Sequence, residues 1–279
     1  MILTKSGVKV HGTWQKNILV DSDKPPIGWK ACQAKDRFTR GAARGLPKIA
    51  SENSEDALTW NLFRTLEKTC LLNLLLEELG FKDDFKVLYW FRPFDSVEVL
   101  PEIHAALNEI EPWGIGGRKQ QTETDIILKG GRTLLMVECK LGKPGERVKA
   151  WSKGKGRIPY SYEPYCLPLL KDSLSMETSM RRFYQLYRHL MLGIKLGEKW
   201  GLEAGLLAIT NCVNINANGL THLEELKVFK STLTTPKRIH LTTWQQIAKA
   251  DVMKDPKVTE LNSYLKGHGC LKLDKASTT

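Results

Sequence analysis

The chain has 279 residues, 42% hydrophobic and 26% charged, the make-up of a soluble globular protein able to bury one sizeable core. No run of about 18 apolar residues occurs, so a membrane-spanning helix is not expected. The net charge of +11 and pI near 9.3 point instead to an anionic partner: nucleic acid, a membrane surface or phosphorylated small molecules.

Residues 1–50 lack periodicity and contain the basic run KDRFTRGAARGLPK; they read as an irregular basic arm. A helix is predicted to start after Ser54 as N-cap, with acids in its first turn. Its apolar stripe runs Leu58, Leu62, Leu66, Cys70 and Leu74, and Gly80 ends it. FKVLYWFRP has strand composition and is closed by Pro93. Residues 97–110 suggest a short helix, and EPWGIGGRKQQ a glycine-rich connection. Two strands follow, 124–129 and 133–140, joined across Gly130-Gly131 as a hairpin. Residues 142–165 read as a basic loop with three prolines. METSMRRFYQLYRHLMLGIKLGEKWG reads as a second long helix, its last turn interrupted at Gly197. EAGLLAITN is a fourth strand and KRIHLTTW a fifth, with a short helix over 243–250.

The order helix, strand, strand, strand, helix, strand implies an α/β protein with a mixed central sheet flanked by helices. The expected division is an arm (1–50), a core (51–210) and a C-terminal strand–helix extension (211–279). That extension either widens the sheet or serves assembly. The six cysteines form no CxxC pair, and MILTKSGVKVHGTW has no apolar signal core. Both features predict reduced thiols in a cytoplasmic protein, without a zinc ribbon or disulfide framework.

The hairpin carries the chemistry. Asp125 opens one strand and Glu138 closes its partner, so antiparallel pairing sets two carboxylates side by side. Such a pair resists joint ionisation unless a cation intervenes. Lys140, two positions beyond Glu138, faces the same side and can stabilise charge developing on a phosphate. Cys139 points to the opposite face, and its main-chain carbonyl is a candidate hard-oxygen ligand. Two carboxylates, a carbonyl and water suit Mg²⁺ or Mn²⁺ better than zinc.

At Asp125 and Glu138-Cys139-Lys140 the sequence resembles the PD-(D/E)xK nuclease superfamily, over roughly residues 52–210. The resemblance implies a restriction-endonuclease-like αβββαβ core and Mg²⁺-dependent hydrolysis of DNA phosphodiesters. It implies Asp125, Glu138 and a helix-derived acid as metal-holding residues, with Lys140 beside the scissile phosphate. Glu55 is the first candidate for the helix acid and Asp56 the second. Gln185 fits the polar position of the second long helix, although Tyr187 departs from the Gln-x-x-x-Tyr spacing of the exonuclease-like branch. Thr124 stands where that family's motif has proline.

Basic residues near these strands are the expected phosphate contacts: Arg118, Lys119, Lys143, Lys149, Lys153, Lys155, Arg157, Arg181 and Arg182. The expected function is an endonuclease of restriction, defence or mobile-element type. An exonuclease or junction-cutting relative is the alternative, as is an inactive nucleic-acid-binding protein. A homodimer would allow double-strand cutting. No HExxH, GxGxxG or GxxxxGK[ST] pattern supports a zinc hydrolase or an ATPase.

Overall fold

A computed structural model describes residues 1–3, 9–23, 46–52, 54–112, 121, 123–141, 160–171, 176–211 and 220–268. Strands β1 (Ile2–Leu3) and β2 (Lys9–Val10) form a small antiparallel ribbon. The main sheet has five strands in the order β3 (Lys86–Tyr89), β4 (Ile126–Lys129), β5 (Thr133–Cys139), β6 (Glu203–Thr210) and β7 (Ile239–Thr243). The pairs β3–β4 and β4–β5 are antiparallel, and β5–β6 and β6–β7 are parallel. The protein is therefore an α/β fold with a five-stranded mixed sheet.

Helices cover both faces, which explains why its central strands are apolar on both sides. Odd-numbered β5 residues Leu135, Val137 and Cys139 face one core, with α1 (Glu55–Lys68), α2 (Leu72–Glu78), α7 (Trp244–Lys249) and α8 (Thr259–Gly267). Even-numbered Leu134 and Met136 face the other, with α3 (Pro101–Ile110), α4 (Glu163–Cys166), α5 (Met176–Trp200) and α6 (His222–Thr232). Trp60, Trp90 and Trp244 are fully buried. Residues 220–268 widen the sheet by one strand and add α7 and α8 to the first core.

Several boundaries differ from the sequence reading. The first helix stops at Lys68 and chain direction changes at Cys70, whose φ of 60° is left-handed; α2 then starts anew. The strand predicted over 85–93 ends at Tyr89, because Trp90 and Phe91 also adopt positive φ and turn the chain. Gly197 does not interrupt α5, which continues to Trp200 and bends instead at Phe183. The role of Gly197 is proximity: a Cβ there would lie 2.6 Å from the Leu202 carbonyl, and one at Gly193 would lie 2.6 Å from Met136. These two glycines, one turn apart, let α5 lie close on β5 and β6.

Residues 9–21 are docked on α1. Asn17 donates to the carbonyls of Ile49 and Ser51, Asn61 donates to the Asn17 carbonyl, and Trp60 donates to that of Val20. Residues 4–8 and 24–45 of the predicted arm lie outside the described residues.

The turn of the β4–β5 hairpin is held from a distance. The Asp83 carboxylate accepts backbone N–H bonds from Gly131, Arg132 and Thr133 at 2.9–3.0 Å. Partial burial opposes its charge, but these donors prevail and hold Asp83 below its ordinary value of 3.8. Asp83→Ala is expected to destabilise the fold by about 1–2 kcal/mol in denaturant unfolding. A depressed carboxyl stabilises above its unfolded pKa. The difference between the variant and the original should therefore be full at neutral pH and shrink below pH 3.8.

Candidate active site

The β4–β5 register pairs Ile126 with Val137, so the next pair outward is Asp125 opposite Glu138. The two carboxylates thus meet across the strands on the α5 face. Asp125 accepts a 2.9 Å bond from the Cys139 N–H, and its own carbonyl receives the Trp90 N–H at 3.1 Å. Thr124 donates to the Val137 carbonyl at 2.9 Å, closing the same strand end.

Glu138 is 1% exposed and meets three side chains. Lys140 Nζ lies 2.5 Å from Oε1, and Gln185 Nε2 donates to the same oxygen at 2.5 Å. His189 Nδ1 lies 3.2 Å from Oε2, outside the alignment of a hydrogen bond. Lys140 is fixed through its backbone: its N–H donates to Ile209 and its carbonyl accepts the Trp244 indole N–H. The end of β5 is thereby tied to β6 and α7.

Glu55 occupies the first turn of α1, and Leu58, Thr59 and Leu62 on its face are fully buried. Its Oε1 accepts the Leu141 N–H at 2.9 Å, and Oε2 lies 3.9 Å from Lys140 Nζ. Asp56 also contributes field to Asp125 and Glu138. The Lys140 ammonium thus lies in the field of Glu138, Glu55 and Asp125.

Burial and these neighbouring charges together set the electrostatics. Burial, then the neighbouring Glu138, pushes Asp125 well above its ordinary value, with Lys140 and the Cys139 N–H opposing. Burial raises Glu138 too, against the pull of Lys140. For Lys140, burial alone would lower the pKa; Glu138, Glu55 and Asp125 outweigh it and keep the amine charged. Burial, then Arg188 and Lys140, takes His189 down to about 3, so its imidazole is neutral.

Two acids that both resist ionisation, facing each other at a strand end, are a donor set suited to a hard divalent cation. The buried Glu138 Oε2, lacking an aligned partner, is consistent with a carboxylate arranged for more than packing. No three His, Cys, Asp or Glu side chains among the described residues converge as a metal-holding group. Asp125 and Glu138 are the pair that fits, and Glu55 turns to Leu141 and Lys140. The Cys139 side chain lies in the opposite core, where burial raises its pKa and keeps it a thiol.

Gln185, His189 and the helix between them owe their position to α5. Arg188 forms a two-pronged pair with buried Glu111 at 2.7 and 2.8 Å, and Tyr162 donates to the same carboxylate at 2.8 Å. This pair pins α5 beside the end of α3. Tyr187, whose spacing from Gln185 departs from the Gln-x-x-x-Tyr pattern, faces Thr232 and Phe229 rather than the carboxylates. The residue one turn beyond Gln185 is His189, and that i, i+4 relation is the signal that was available.

Of the predicted phosphate contacts, Arg118, Lys119, Lys143, Lys149, Lys153, Lys155 and Arg157 lie outside the described residues. Arg181 sits in α5, and the Arg182 guanidinium lies 3.8 Å from Glu225. A cleft of about 440 Å³ runs along β7, lined by residues such as Phe81, Lys230, His240 and Gln246. It is separate from the carboxylates, and the carboxylate cluster carries the stronger chemical argument. Cys70, Cys139 and Cys166 are free thiols, and no helix among the described residues is long and apolar enough to cross a membrane. Comparison with protein-family models, curated proteins and solved structures finds no match to this chain.

Proposed function

We propose that the protein is a metal-dependent nuclease of the PD-(D/E)xK type, hydrolysing phosphodiester bonds in DNA. The observation that carries this reading is the juxtaposition of Asp125, Glu138 and Lys140 at one end of the β4–β5 hairpin. With α2, α3 and α4 taken as insertions, the element order α1, β3, β4, β5, α5, β6 agrees with the restriction-endonuclease-like core. The net charge of +11 supplies the field that an anionic polymer would need.

In this reading Asp125 and Glu138 hold Mg²⁺ or Mn²⁺, which would supply an activated water and neutralise phosphate charge. Lys140 directs its ammonium to the attacked phosphate and limits the repulsion between the two acids. Gln185 orients Glu138. Glu55 keeps the Leu141 backbone and the Lys140 ammonium in place.

The test is incubation with Mg²⁺ or Mn²⁺ and supercoiled, linear, branched or single-stranded DNA. Conversion of closed circles to nicked or linear forms is the expected result, and chelation should stop it. Degradation from ends alone would favour an exonuclease. Binding without cutting in either metal would sink the catalytic reading.

A further inference from the structure

Glu138 is a nearly inaccessible carboxylate whose two oxygens have unequal surroundings. Oε1 is served by Lys140 and Gln185. Oε2 is buried without an aligned hydrogen bond, and so is His189 Nδ1, 3.2 Å away. An interior of low dielectric penalises both atoms when they are left unsatisfied. Side chains at reacting centres are often misaligned until the site is filled, and tighten then.

We propose that His189 is a positioning residue for Glu138. Its Nδ1–H holds Oε2 from the α5 side while Lys140 and Gln185 hold Oε1, so the carboxylate plane is fixed through both oxygens. What Glu138 does once fixed rests on the nuclease reading; the Nδ1–H···Oε2 bond does not.

The surroundings are built for such a role. Gln185 and His189 stand one turn apart and reach opposite oxygens of one carboxylate. Immediately next to His189, Arg188 anchors the helix through Glu111. Further along, Gly193 and Gly197 bring the helix close to β5 and β6. His189 itself is 1% exposed, and Leu186 and Leu190 of the same helix are buried too. Leucine would fill that space without leaving an unsatisfied nitrogen. A fixed plane sets the direction of the lone pairs that Glu138 offers jointly with Asp125, and outer partners of this type are commonly worth about 10–100-fold in metal affinity or activity.

The test uses the whole chain, its His189→Leu and His189→Asn variants, and Mn²⁺ as the probe. Binding is read by electron paramagnetic resonance of free Mn²⁺, and cleavage by kcat and KM on plasmid DNA. His189→Leu should lose about 10–100-fold in Mn²⁺ affinity and in kcat with KM unchanged, and His189→Asn, which keeps an N–H, should recover most of both. Wild-type affinity and kcat in a folded His189→Leu protein would overturn the proposal. Should that variant not fold, long-range ¹H–¹⁵N spectra of the unaltered protein decide. A proton on Nδ1 is expected, and an imidazole carrying its proton on Nε2 alone would overturn it. If the unaltered protein neither binds Mn²⁺ nor cuts DNA, the nuclease reading fails, while the tautomer still decides the His189–Glu138 bond.

Discussion

Asp125→Ala is expected to reduce DNA cleavage by at least about 10³-fold while leaving stability within about 1 kcal/mol of the original. The two halves have different causes. Cleavage fails because Glu138 alone cannot hold a divalent cation against competition from water. Stability survives because ionised Asp125 is a burden to the fold. Its pKa is raised by burial and by Glu138, so stability falls as pH rises from 3.8 to its folded value. Alanine removes that burden but strips the Cys139 N–H of its acceptor, a loss that acts in the opposite sense. Asp125→Asn separates the terms: the amide oxygen still accepts from Cys139 while the charge is gone. It should be the most stable of the three proteins and equally inactive. Denaturant unfolding at pH 7 with plasmid cleavage on the same samples checks both halves. Cleavage by Asp125→Ala at the original rate would remove the metal site from the nuclease reading.

The pairing of Asp125 with Glu138 was legible because it follows from chain-local rules. A Gly-Gly turn between two apolar runs fixes a hairpin, the hairpin fixes the register, and register places residues 13 apart opposite one another. Lys140 follows by strand alternation, and Glu55 by the facing of Leu58 and Leu62 on α1. The features that escaped depend on distant partners. Asp83 caps a turn 48–50 residues away, and Arg188 meets Glu111 across 77 residues. Neither pair leaves a spacing pattern. The break at Cys70 escaped because its left-handed turn uses a residue other than glycine, so Gly80 gave the stronger stop signal. His189 carries no ligand motif of its own; its one signal in the sequence is the i, i+4 step from Gln185, and its distance to Glu138 gives that step meaning.

Lys140→Met is expected to abolish most cleavage, by at least about 100-fold, and to cost roughly 2–4 kcal/mol of stability. Removing one partner of a buried ion pair leaves the other uncompensated, and Glu138 is 1% exposed. Two features moderate the loss: Lys140 keeps 21% of its side chain in solvent, and Glu138 can escape by taking up a proton. The second feature sets the pH dependence. Without Lys140 the folded pKa of Glu138 rises further above 4.5, so the deficit should be small near that pH, grow as pH rises through the folded value, and then level off. Glu138→Gln in the same chain removes the stranded charge, so the double variant should recover to within about 1 kcal/mol of the original and remain inactive. Mn²⁺ provides an independent arm. A cation bound by Asp125 and Glu138 restores compensation by mass action, about 2.7 kcal/mol at a hundredfold excess over Kd. It should raise the melting temperature of Lys140→Met and leave that of the double variant nearly unmoved. Equal melting temperatures for Lys140→Met and the original protein across pH 4–8 would mean that the 2.5 Å contact contributes nothing net. The buried Glu138 would then be held by Gln185 and by its own uptake of a proton.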